Sequence, residues 1–127
     1  MKKLLISLIL LISCYNLSAQ TYWYQATKFA FANITNGFYS WGNWEKSDVK
    51  IKADLDNSII TIYSPTIQIY RLLGIDESNS DDTTNIKVID QDNDRGHIRL
   101  KNKNGEQYIY IDFQNVAWVY KVYQISK

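Results

Sequence analysis

The chain has 127 residues, with 14 Lys and Arg against 13 Asp and Glu, one cysteine and one histidine. This near-neutral balance gives no electrostatic case for binding nucleic acid or an anionic membrane surface. The single histidine cannot build a multi-histidine zinc site, and the 14% aromatic content suits β-structure and leaves little room for disorder.

Residues 1–19 read as a secretory leader. Met1-Lys2-Lys3 supplies a positive start, Leu4 to Ile12 is a nearly unbroken apolar run, and Leu17-Ser18-Ala19 before Gln20 forms a small-residue cleavage site. The run is too short for a comfortable membrane span, and no later stretch is apolar enough to be one. Leu11-Ile12-Ser13-Cys14 also has the form of a lipoprotein box, in which a lipidated Cys14 would begin the mature chain. Cleavage after Ala19 is preferred because its site lies correctly behind the apolar run. The expected product is one exported domain, residues 20–127, periplasmic or secreted and without cysteine, so that its core and not disulfides must hold it.

The elements follow in chain order. Gln20 to Gln25 is a polar-aromatic lead-in, and Ala26 to Asn33 alternates as a first strand with Phe29 and Phe31 on one side. Asn36-Gly37 predicts a tight turn into Phe38 to Glu45. There Trp41 and Trp44, three apart, would face opposite ways unless Gly42 marks a bulge. Val49 to Leu55 alternates strictly, and Asp56-Asn57 closes a hairpin that sets Ala53 opposite Ile60 and Ile51 opposite Ile62. Pro65 then requires a corner or an edge before the strand Ile67 to Leu73.

Gly74 to Thr84 is an acidic, polar loop containing Asp76, Glu77, Asp81 and Asp82, and Asn85 to Asp90 is the next strand. The hairpin His97 to Phe113 turns at Asn104-Gly105. Its register sets Leu100 against Ile109, Ile98 against Ile111 and His97 against Asp112, with Ile98, Leu100, Ile109, Ile111 and Phe113 on one face. Val116 to Ile125 is the last strand, with Val116, Trp118, Tyr120 and Val122 inward. About nine short strands without helical periodicity make an all-β antiparallel meander, barrel-like, with a two-sheet sandwich as the alternative.

Candidate chemistry is sparse. Asp90, Asp92 and Asp94 place carboxylates at alternate positions, like the start of a calcium loop, but Arg95 and Lys101 stand where such a loop needs Gly and Glu. A solvated hairpin tip explains them without a cofactor. His97 beside Asp112 is a carboxylate-imidazole pair or an ordinary cross-strand pair. No G-x-S-x-G or H-E-x-x-H motif occurs, so no catalytic residue is assigned, although carboxylate-only glycosidase chemistry is compatible with the composition. Trp23, Trp41, Trp44 and Trp118, with Tyr22, Tyr24 and Tyr39, either fill the core and its ends or form a sugar-stacking platform, whose expected exposed rings are Trp23 and Trp44, since neither falls on a clean apolar face. Arg99, Lys101, Tyr108 and Tyr110 line the outer face of the last hairpin as a partner-binding strip.

The leader ending L-S-A-Q-T, the run W-G-N-W-E-K-S-D-V-K-I, the strand I-I-T-I-Y-S, the segment V-I-D-Q-D-N-D-R-G, and Y-I-D-F with W-V-Y after it together resemble small signal-bearing β-proteins of unknown function. Those proteins belong to Bacteroidota and the bacteriophages that infect them. The resemblance implies export in a Gram-negative host and allows a phage or mobile-element origin, but it transfers no functional residue. The functional expectation is therefore an exported non-enzymatic binding module with a protein or glycan partner in the cell envelope. The alternatives are a small glycan-active protein and a carrier of a small apolar ligand, the last of which would require an internal cavity.

Overall fold

The computed structural model describes residues 21–75 and 82–126. The leader reading and its alternative at Cys14 lie outside these residues, as do Asp76, Glu77 and Asp81 of the acidic loop. The described residues form nine antiparallel strands: β1 (Thr21–Thr35), β2 (Phe38–Trp41), β3 (Glu45–Asp54), β4 (Ile59–Ile62), β5 (Gln68–Ile75), β6 (Thr83–Ile89), β7 (Arg95–Lys103), β8 (Glu106–Asp112) and β9 (Val116–Ser126). From β3 onward each strand pairs with the next, and β9 returns to β1, so eight strands close into a barrel. No helix of the described residues is long and apolar enough to cross a membrane.

β2 stands outside the ring and extends it. It pairs with the last residues of β1 on the edge that β3 occupies further back, while β9 holds the other edge from Trp23 to Asn33. β2 and β3 are thus one line interrupted at Gly42 to Trp44, where the Gly42 amide still bonds the Phe31 carbonyl at 2.8 Å. The bulge anticipated at Gly42 is present.

Local turn chemistry accounts for the hairpins. Asn36 and Gly37 take φ of 52° and 81°, and Asn104 and Gly105 take 54° and 81°, as a type I′ turn requires. The last hairpin has the predicted register, including Ile98 with Ile111 and His97 with Asp112. The β3–β4 hairpin pairs Ala53 with Ile60 and Ile51 with Ile62, also as predicted. Pro65 falls in the β4–β5 connection, where its missing amide breaks no ladder.

Two departures alter the phase of strands. The lead-in before Ala26 is itself strand from Thr21, with Tyr22 and Tyr24 turned inward opposite Ala53 and Ile51. A bulge between Ala26 and Lys28 then restores the alternation, so that Phe29 and Phe31 share the inner phase with Tyr120 and Trp118. In β5 a second bulge, between Leu72 and Gly74, sets Ile75 opposite Ile86.

The centre of the interior is made by Ile51, Ile62, Val88, Ile98 and Ile111, all essentially without solvent contact. At the rim formed by the β4–β5, β6–β7 and β8–β9 connections, large rings fill the barrel. Phe113 stacks on Trp118 at 6.1 Å and meets Tyr70 at 6.0 Å, and Phe29 meets Tyr120 at 5.3 Å. The phenols are satisfied there: Tyr70 donates to Gln68 Oε1 at 2.6 Å, and Gln68 Nε2 donates to the Tyr120 oxygen at 3.3 Å. Burial pushes both phenols above the ordinary tyrosine range.

Candidate functional site

Beyond Lys28 the outward phase of β1 and the facing part of β9 consist of small residues: Ala30 and Ala32 stand opposite Val119 and Ala117. All four are at most 3% exposed although they point away from the interior. Something must cover them, and the cross-strand rows identify it. Trp41, Ala32, Ala117 and Asp112 stand in one row across β2, β1, β9 and β8, with Ala30, Val119, Tyr110 and Arg99 in the next. β2 and β8 are three strand spacings apart, about 14 Å, yet the Trp41 and Tyr110 rings approach to 5.9 Å. Both side chains must therefore lean inward over the alanines.

Five rings follow one another along this face. Tyr39 stacks on Trp41 at 5.9 Å, Trp41 meets Tyr110 edge-on, Tyr110 lies 6.4 Å from Tyr108, and Tyr108 lies 6.1 Å from Trp44. Such tilted and offset contacts add favourable quadrupole interactions to simple burial. The outer sides of the rings remain in water, since Tyr39, Trp41 and Trp44 are 43%, 40% and 46% exposed. The result is a strip with a buried floor and open aromatic faces.

Polar groups fix the strip at both ends. Arg99 donates through Nε and Nη2 to the two oxygens of Asp112, and Tyr39 donates to Asp112 Oδ1 at 3.4 Å. The guanidinium lies 4.4 Å from the centre of Tyr110 and 6.0 Å from that of Tyr39, a cation–π arrangement that holds both rings. Burial and then the Asp112 charge raise the Tyr39 phenol, with Arg99 opposing them. At the other end Tyr108 donates to Glu106 at 2.8 Å, and Glu106 pairs with Lys121 at 2.6 Å. That double engagement, led by Lys121, lowers the Glu106 carboxyl below its usual range.

Of the residues singled out from the sequence, Trp44, Tyr108, Tyr110 and Arg99 are brought together. Trp23 is not among them: it stacks on Tyr63 at 5.9 Å with the Lys52 ammonium 5.6 Å from its centre. It precedes Ala30 on β1 by seven residues, roughly 23 Å of extended chain. Tyr39 and Trp41 complete the strip; both are candidate platform rings from the sequence, but neither is among its expected exposed members. The available signal was the Phe-Ala-Phe-Ala run, residues 29–32, because a strand apolar on both phases must be covered on both.

His97 faces Asp112 as expected, but the carboxylate is engaged by Arg99 and Tyr39. Asp90 Oδ1 accepts the backbone amides of Asp92 and Asp94, each at 2.9 Å, and Asn93 takes φ of 67°. Asp90, Asp92 and Asp94 thus shape the β6–β7 turn, with one carboxylate used in capping it. Among the described residues no group of three or more His, Cys, Asp or Glu is placed to hold a metal ion. The chain matches no protein-family model, and comparison with curated proteins finds no match.

Proposed function

We propose that this protein is an exported, non-enzymatic binding module that holds carbohydrate of the cell envelope against the strip Tyr39–Trp41–Tyr110–Tyr108–Trp44. The observation that carries the reading is the unbroken run of five rings whose inner sides are packed and whose outer sides are open. The C–H face of a pyranose is apolar and flat enough to lie on such rings, while its hydroxyls need donors and acceptors at the border. Arg99 and Glu106 stand there. Rings already locked by their neighbours lose little rotamer freedom on binding, which favours affinity.

The test is tryptophan fluorescence and calorimetry against a panel of bacterial and host polysaccharides. Quenching or a blue shift with at least one glycan class is expected, lost in Trp41→Ala/Trp44→Ala while the circular dichroism spectrum is retained. Absence of any response across the panel, or an undiminished response in that variant, overturns the proposal. A protein captured from envelope extracts through the same rings, with no glycan response, would replace it.

A further inference from the structure

Among the described residues the interior rings are concentrated toward one rim, with Tyr22 and Tyr24 of β1 facing inward nearer the other. Phe29, Tyr70, Phe113, Trp118 and Tyr120 crowd the rim described above. Toward the opposite rim, where the β3–β4 and β7–β8 turns lie, the cavity wall supplied by β3 to β8 is aliphatic, Ile51, Ala53, Ile60, Leu72, Leu100 and Ile109, while the buried Thr84 and Asn102 lie in the same inward phase outside that wall. The wall side chains are too small to meet across eight strands, and a cavity of about 190 Å³ remains. It opens beside Leu55, Leu73 and Ile75, whose apolar side chains are partly or largely in solvent. The β5 bulge keeps this end aliphatic by returning Ile75 to the inner phase after Leu73.

We infer that this cavity is a second binding site, separate from the aromatic strip, for one small, neutral, apolar molecule: a single aromatic ring or a short alkyl chain. The lining carries no charged side chain, and its polar groups are confined to Tyr24 and Ser58. Water inside would give up hydrogen bonds without replacement, and an apolar cavity of about 150 Å³ is known to stay dry and admit benzene. A charged group would be desolvated there without a partner, so the buried part of the ligand is uncharged. The chain's own adjoining segment is a poor occupant: residues 76–81 read Asp-Glu-Ser-Asn-Ser-Asp, with no apolar side chain to insert. Tyr24, whose phenol burial pushes up to about 12, lines the cavity and can offer a hydroxyl to a ligand's polar end.

The experiment uses toluene, 1-hexanol and hexanoate as probes, read by methyl-resolved NMR of the whole protein. Saturable shifts at the methyls of Ile51, Ile60 and Ile109 are expected with toluene and hexanol, with hexanoate at least tenfold weaker at neutral pH. Ala53→Leu fills the space and should weaken toluene binding at least tenfold; Leu72→Phe serves as a second filling variant should the first fail to fold. Neither variant should alter the glycan response of the strip, so the two sites fail independently. No saturable shift at the interior methyls, shifts confined to surface residues such as Ile67, or undiminished binding in a folded filled variant overturns the inference.

Discussion

Gly96 is the position at which one added carbon should do most damage. Its φ lies outside the left-handed region, so alanine carries no intrinsic backbone penalty there; the penalty is one of space. A Cβ would lie 2.5 Å from the Asp112 carbonyl oxygen and 2.7 Å from Cε1 of Phe113, whereas ordinary contact begins near 3.4 Å. About 0.9 Å of relief is needed from a backbone that is paired on both sides, with His97 and with Ala117. The alternative is rotation of Phe113 away from Trp118 and Tyr70, which unseats the ring cluster that plugs the barrel. Overpacking of this kind costs up to about 3 kcal/mol, which for a domain of this size lowers Tm by roughly 12–24 °C. Gly74→Ala is the matched control, since nothing lies within 4 Å of its Cβ and its φ is ordinary; it should be neutral or slightly stabilising. Urea denaturation followed by circular dichroism measures both. A loss below ~0.5 kcal/mol in Gly96→Ala, or equal losses in the two variants, would refute the steric account.

Three further outcomes are expected. Ile111→Ala empties a fully buried position and should cost about 2–5 kcal/mol by denaturant titration, with an unchanged m value. The Tyr24 phenol, raised by burial to about 12, should stay protonated in the fold while unfolded tyrosine ionises near 10. The unfolded chain then binds fewer protons, so stability is full below pH ~10 and declines as pH rises toward ~12; spectrophotometric alkaline titration and denaturation across that window check it. Glu106 should titrate below the ordinary glutamate range by carbon-detected NMR and move up in Lys121→Ala, because the Lys121 contact is the leading cause of its depression.

The hairpins could be read from the sequence because their information is local. Asn-Gly demands positive φ at two successive residues, and once the turn is placed, alternation assigns every partner from Lys103–Glu106 back to His97–Asp112. What could not be read was the phase beyond a bulge. Thr27 and Leu73 carry no bulge signature, yet each exchanges inward and outward positions for the rest of its strand. The strip was half legible for the same reason. Trp44, Tyr108, Tyr110 and Arg99 stand out as polar-phase aromatics and a cation, but placing Tyr39 and Trp41 over them depends on β2 lying alongside β1 and on alanines low enough to lean across. Both are properties of the closed sheet.

The seam between β1 and β9 also governs when the domain can become itself. A nascent chain that has emerged as far as Asp112 holds every hairpin but β8–β9 and has no cover for the amides and carbonyls along the outer edge of its first strand, from Trp23 to Asn33. Those groups wait for the eleven residues of β9, so closure cannot precede that strand and its rate is set by the most distant strand pairing among the described residues. A truncation that removes β9 would leave β1 as a bare template for a neighbouring chain.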